Sequence, residues 1–288
     1  MVSGQGVHAE LADAPHVGRI VIDRPDHGNA FTLDMCRQFV AALATLEADD
    51  YVKVIVVCGN GPDLTVGLDP EEVGTYHDRV DVPAERIPSL RARLRAAGEI
   101  FWGRDGLYGR LLTSQKVTVL AANGRCHDVG LDLALFCDIA VAGSGAEFAN
   151  PRWQHVGVDG DVSMLLATVG RKRANELMFA AARWTPEQAL SAGLVNIVVE
   201  VPDASAAALE VARTVSTIMR DGIAAEKYLT LAATEKMGIG AGFATATIMS
   251  AMSSTIHFRP GEFNFLRARR DLGVAGALAA AQQAKSLT

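Results

Sequence analysis

The sequence is short of cysteine, of long apolar runs and of positive charge, and each shortage excludes something. Its four cysteines, Cys36, Cys58, Cys126 and Cys137, show no CxxC spacing. A disulfide framework and a cysteine metal site are therefore not expected, and reduced thiols in a cytosolic protein are. No apolar run approaches the roughly 20 residues that a membrane helix needs. No basic stretch followed by an apolar one opens the chain, so the expectation is a cytoplasmic protein without a secretory signal. Acidic residues number 33 against 27 basic ones, a net charge of −6. That balance argues against nucleic acid as a partner, because phosphate binding needs a basic field. It leaves room for a small anionic ligand held by a local basic cluster. There is no sequence repeat and no low-complexity linker.

What is present is an ordinary globular composition, 49% apolar and 21% charged over 288 residues. That is one large domain, or one domain with an appendage, and enough chain to bury a core unaided. Strands are expected at 17–23, 52–58, 117–122, 139–142, 147–149 and 196–199. The runs VKVIVVC and VTVLAA have the β-branched, continuous character of strands buried on both faces. Thr32 suits the N-cap of a helix over 33–46, with Met35, Phe39, Ala42, Leu43 and Leu46 on one face. One helical pattern runs from 84 to 112, with its arginines on a solvated face. Helices follow at 129–136, 161–168, 172–180 and 186–191, the last with Thr185 as N-cap and Gly193 as its stop. After Pro202 the pattern is helical at 204–220, 224–237, 243–254 and 261–272, with 274–288 expected to fray. The division is an α/β core at 1–202 and a helical C-terminal region at 203–288.

Three segments carry chemistry. Residues 61–69 form a glycine-containing loop after a buried strand, where Gly67 permits a sharp turn. Residues 116–138 hold a buried strand, Asn123-Gly124, and a helix opening at Asp128-Val129-Gly130-Leu131-Asp132. The first turn of a helix has N–H groups without internal partners and favours developing negative charge. Asp128 is expected to cap it through the N–H of Gly130 or Leu131, leaving that of Val129 open. The N–H groups of Leu68 and Val129 would then converge as an oxyanion hole, worth about 3–4 kcal/mol per donor. The third segment, 148–161, carries Arg152, Trp153, His155, Asp159 and Asp161.

Several of these pieces, in order, resemble the enoyl-CoA hydratase/isomerase (crotonase) superfamily. They are R24-P25-D26-H27-G28-N29-A30, L64-T65-V66-G67-L68-D69, K116 to G124 with Asp132 eight residues on, C137-D138-I139, G170-R171, the T185 to N196 run and F263 to R270. The resemblance implies an α/β crotonase-like (ClpP/crotonase) spiral of ββα units with a C-terminal helical trimerisation region. It implies an acyl-CoA thioester as substrate, coenzyme A as part of that substrate with no further cofactor and no metal, and a homotrimer or dimer of trimers. Assembly would bury the stripe Leu209, Val215 and Met219. Leu64, Val66, Asp69 and Phe265 fall at coenzyme A-binding positions, Phe265 reaching a neighbouring subunit's site.

At the catalytic positions the sequence departs from the hydratases. The first hydratase glutamate falls on Asp132 and the second on Arg152 or Trp153, so the second carboxylate is missing. The segment G157-V158-D159-G160-D161 resembles dienoyl-CoA isomerases, which have aspartates at the positions of Asp132 and Asp161. The expected chemistry is double-bond isomerisation through a stabilised enolate, with these two aspartates moving protons. Asp161 equally suits the cap of the helix that follows it, and Asp132 a solvated first turn. His127, Arg152, Trp153 and His155 are candidates for the substrate pocket, each with a structural role as its alternative. Hydrolytic C–C cleavage of a β-diketone or β-keto-CoA by a histidine, and a catalytically silent acyl-CoA-binding or partner-binding protein, stand as the other readings.

Overall fold

The structure is a computed structural model that describes residues 6–73, 89–153, 160, 162–201, 203–253, 258–259 and 261–286. The first half of the chain runs β1 (Gly6–Leu11), β2 (Val17–Asp23), α1 (Leu33–Ala48), β3 (Val54–Gly59), α2 (Leu90–Ala97), α3 (Leu107–Thr113) and β4 (Val117–Ala122). It continues through β5 (Arg125–His127), α4 (Val129–Phe136), β6 (Ile139–Gly143) and β7 (Glu147–Ala149). Then come α5 (Ser163–Phe179), α6 (Pro186–Ala192), β8 (Ile197–Val199), α7 (Ser205–Ser216), α8 (Arg220–Lys236), α9 (Ile239–Ser253) and α10 (Phe265–Ser286). Among the described residues, six strands form one sheet in the order β1-β2-β3-β4-β6-β8, and β5 and β7 form a second, parallel pair. Every pair in the large sheet is parallel except β1 with β2.

The strand period of two sends side chains to alternate faces. Ile20, Ile22, Ile55, Val57, Leu120 and Ala122 enter the larger core beneath α1, α3 and α4. Val21, Val54, Val56, Cys58, Val119, Ala121 and Val141 enter the second core, which α7 covers. Ala204, Ala208 and Ala212 let that helix lie close. Leu209 and Val215 therefore pack against the chain's own sheet rather than waiting for a partner, while Met219 is 71% exposed. The first helix after residue 202 is thus a layer of the sheet packing.

Most local expectations correspond to an element. Thr32 Oγ1 accepts the Met35 N–H at 3.1 Å, and α6 opens with a complete capping box of Thr185 and Gln188 and ends at Gly193 at φ 82°. The differences have local causes. The pattern over 84–112 is not one helix: α2 passes into a π turn, Gly98–Trp102, before α3. Gly103 and Gly106 pack on that turn, where a Cβ would stand 2.5 and 2.7 Å from the Gly98 carbonyl oxygen. The two helices expected at 161–168 and 172–180 correspond to the two parts of α5, which are separated where Gly170 leaves helical geometry (φ 73°). The tail after 274 does not fray: α10 kinks at Gly273 and continues to Ser286, burying Ala277 and Ala281. The edge strand β1 and the short β5 have no counterpart in the sequence reading. All four cysteines are free and buried. Burial pushes their thiols up, that of Cys137 to about 12. No helix among the described residues is long and apolar enough to cross a membrane.

Candidate active site

The loop after β3 is held from two sides. The Leu64 and Thr65 N–H groups donate to the Asn123 and Arg125 carbonyls at 2.7 and 3.0 Å, and the His127 N–H returns a bond to Thr65 at 3.0 Å. On the other side Phe31 donates to the Gly67 carbonyl at 2.8 Å and accepts from the Asp69 N–H at 2.7 Å. The Asn29 amide donates to the Asn60 and Asp63 carbonyls at 2.9 and 2.7 Å. Gly67 turns at φ +103°, and the space of its missing Cβ is taken by Asp128, whose Cβ would be 2.6 Å away. Only glycine allows this approach.

Asp128 is where the structure departs most from expectation. It sits at φ 52°, ψ −105° before α4, and its side chain makes no cap. This backbone turns the carboxylate away from the helix and across to the loop. Its Oδ2 accepts the Leu68 N–H at 2.9 Å. Its Oδ1 accepts from Arg152 Nε at 2.9 Å, with Nη2 at 2.8 Å and the Asn150 amide at 3.5 Å. The N–H expected to serve as one oxyanion donor thus already has a carboxylate acceptor. Arg152, a candidate for the substrate pocket, is an ion-pair partner of Asp128.

Asp132 lies one turn into α4 and is buried, its N–H on the Asp128 carbonyl at 3.0 Å. It is close enough to the buried Tyr108 hydroxyl to matter. Burial pushes that hydroxyl well up, and the charges of Asp132 and Asp128 push it further. Leu68, Val129, Phe101, Trp102, Tyr108, Arg152 and Ser250 enclose a cavity of about 10 Å³. Beside it opens a cleft of about 210 Å³ between the 66–73 loop and α10, lined by Val66, Leu68, Asp128, Arg152, Phe265 and Leu278 among others.

The remaining candidates separate clearly. Val66 and Phe265 line the cleft, both within the one chain. Leu64 is wholly buried beneath it. Asp69 holds Arg24 at 2.6 Å and the Glu71 N–H at 2.9 Å, which fixes the loop. His127 Nε2 is 2.7 Å from Glu147, which Arg183 also binds. Burial outweighs that carboxylate and lowers the His127 pKa, favouring the neutral ring. Trp153 is buried in the core, its N–H on the Asn150 carbonyl. His155 and Asp161 lie outside the described residues. Gly160, next to Asp161, rests on Trp102, where a Cβ would be 2.4 Å from the ring. The sequence reading missed Phe101, Trp102 and Tyr108 as site walls, because their helical spacing is that of ordinary core residues.

The sequence pattern of the family described as Enoyl-CoA hydratase/isomerase matches residues 14–271. The chain belongs to this family. It is an acyl-CoA-processing enzyme with the crotonase fold of the enoyl-CoA hydratase/isomerase family. Among relatives, it is 31% identical over 216 residues to 4-chlorobenzoyl coenzyme A dehalogenase-2 of an Arthrobacter species, covering 74% of each chain. It is 32% identical over 226 residues to a Mycobacterium tuberculosis H37Rv protein named "Probable enoyl-CoA hydratase EchA14", covering 77% of this chain and 80% of that one. Among solved structures, an enoyl-CoA hydratase/isomerase from Xanthobacter autotrophicus Py2 superposes with a TM-score of 0.76 at 28% identity over 96% of both chains.

Proposed function

We propose that this family member moves a double bond in an acyl-CoA through an enolate, with Asp132 and Asp161 as the acid–base pair, rather than adding water. The observation that carries the reading is the absence of a second carboxylate where a hydratase needs one. Of the two residues that fall there, Arg152 is bound to Asp128 and Trp153 is buried in the core. Holding and activating one water takes two carboxylates, whereas shifting a double bond takes a proton removed and a proton returned. Asp132, buried beside Tyr108 and one helical turn from Val129, is placed to serve one end of that transfer. The thioester oxygen would lie between the Leu68 and Val129 N–H groups, and the coenzyme A chain along the cleft of Val66 and Phe265. No further cofactor is needed for this chemistry. Met219, Tyr228 and Leu229, exposed on and before α8, support a homotrimer or dimer of trimers that covers them. A cytoplasmic location fits the four free thiols.

Asp132→Asn and Asp161→Asn should each slow double-bond migration by about 10²–10⁴. Coenzyme A affinity should hardly change. Absorbance of the conjugated product and deuterium uptake from solvent measure this. Rapid crotonyl-CoA hydration insensitive to Asp161→Asn would overturn the assignment of the pair. A second reading is hydrolytic dehalogenation of an aryl-CoA. The aromatic wall of Phe101, Trp102 and Tyr108 and the 31% identity to the Arthrobacter dehalogenase favour it. Chloride release from 4-chlorobenzoyl-CoA, without deuterium exchange in any enoyl-CoA, would decide for it. C–C hydrolysis by a histidine finds no ready base in His127, which is held by Glu147.

A further inference from the structure

Two backbones of positive φ meet at the site. Gly67 is at φ +103° and Asp128 at φ 52°, a region that L side chains rarely adopt. Their meeting places the Asp128 carboxylate on the Leu68 N–H at 2.9 Å, within a residue that is 2% exposed. Arg152 directs Nε and Nη2 to the same oxygen, Oδ1, which leaves Oδ2 facing Leu68. A backbone N–H has one hydrogen to give, and a carboxylate is a better acceptor for it than the oxygen of a neutral thioester. The cavity bounded by Leu68 and Val129 holds about 10 Å³, and Asp128 lines the larger cleft that opens beside it.

We propose that Asp128 is a specificity-determining residue that competes inside the molecule for the oxyanion hole: its carboxylate stands where the thioester oxygen must bind, and the hole opens only when Asp128 turns away. This rests on the reading that a thioester binds between Leu68 and Val129. Rotation of the side chain frees the N–H while Oδ1 stays on Arg152, so the displaced charge keeps its counter-ion. The competition selects among acyl groups. A simple saturated thioester offers a weak neutral acceptor and displaces Asp128 poorly. An acyl group that ionises readily to an enolate, such as a β-ketoacyl thioester, can offer an anionic oxygen comparable to the carboxylate.

The test is calorimetric titration of the wild type, Asp128→Asn and Asp128→Gly with free coenzyme A and with acetoacetyl-CoA. Free coenzyme A has no acyl oxygen and reports the cleft alone. Removing a charge-assisted hydrogen bond should tighten acetoacetyl-CoA by about 10–100-fold in Asp128→Gly. The gain should be smaller in Asp128→Asn, whose amide oxygen still competes as a neutral acceptor. Asp128 also lines the cleft, so free coenzyme A is the baseline for each variant, and the gain for acetoacetyl-CoA should exceed any change in coenzyme A binding. The asparagine keeps the shape beside Arg152 and carries the test if the glycine variant does not fold. Unchanged or weaker acetoacetyl-CoA binding, with coenzyme A binding retained, would overturn the competitor role alone. Folded proteins that bind neither ligand would overturn the thioester reading of the site, and the competitor role with it.

Discussion

At one corner of the molecule Asp63 accepts the Arg125 N–H at 2.8 Å together with Nε and Nη2 of the same arginine. At the next corner Asp128 accepts the Leu68 N–H at 2.9 Å and the Arg152 guanidinium. Both are a carboxylate, a backbone N–H and an arginine. In the first, the N–H and the guanidinium belong to one residue, so two segments suffice and the unit closes on itself. The Arg125 side chain is 52% exposed, and the unit ties the 60–65 loop to β5. In the second, the acid, the N–H and the arginine come from three segments, and the acid side chain is only 3% exposed. The same chemistry is a clasp in one place and an obstruction in the other. What differs is whether the N–H has another claimant.

The comparison can be broken at either corner. The largest effect is expected from Gly67→Ala, which places a Cβ 2.6 Å from that of Asp128 at a positive φ. Strain of this kind costs about 3 kcal/mol, read from the urea midpoint, and protection of the Arg125 amide at the other corner should survive. Asp63→Ala leaves the Arg125 N–H without its acceptor and should cost about 2 kcal/mol, again in urea. Acetoacetyl-CoA affinity should stay within about twofold of wild type, since Asp63 does not line the cleft. The smallest effect is in pH. Burial pushes the Asp63 carboxyl up, but the Arg125 hydrogen bonds and charge outweigh it and hold its pKa below the ordinary range. A lowered folded pKa gives stability that is present above the unfolded value of about 3.9 and lost as pH falls through the folded one. The melting difference between wild type and Asp63→Asn should therefore be level above about pH 5 and shrink below about pH 4.

Much of the fold was legible because it is written in short-range terms. VKVIVVC and VTVLAA announce buried parallel strands, and Thr32, Thr185 and Gly193 do what isolated chemistry predicts of them. The helical pattern over 84–112, of which 84–88 lie outside the described residues, is interrupted between α2 and α3 because Gly103 and Gly106 act by packing on a turn, which periodicity does not record. The tail was misjudged for a related reason: its alanines are neutral in pattern and become core only when α10 lies over the cleft. The site was legible in its residue types and not in its pairings. An aspartate ahead of a helix ordinarily caps it, and nothing local says that Asp128 will adopt φ 52°. Its true partners are Leu68, 60 residues away, and Arg152, 24 away. Those contacts exist only once the sheet has brought three segments together.

The cysteines described with the fold have one more consequence. An acyl-CoA is an acylating agent toward thiolates, since thiol–thioester exchange is nearly balanced in energy, so an enzyme that holds one risks modifying itself. Here the four thiols are buried and shifted toward the protonated form. Burial, with the charge of Asp138 beside it, keeps the Cys137 thiol protonated at neutral pH. The polypeptide can hold a reactive thioester against its core without offering it a nucleophilic sulfur.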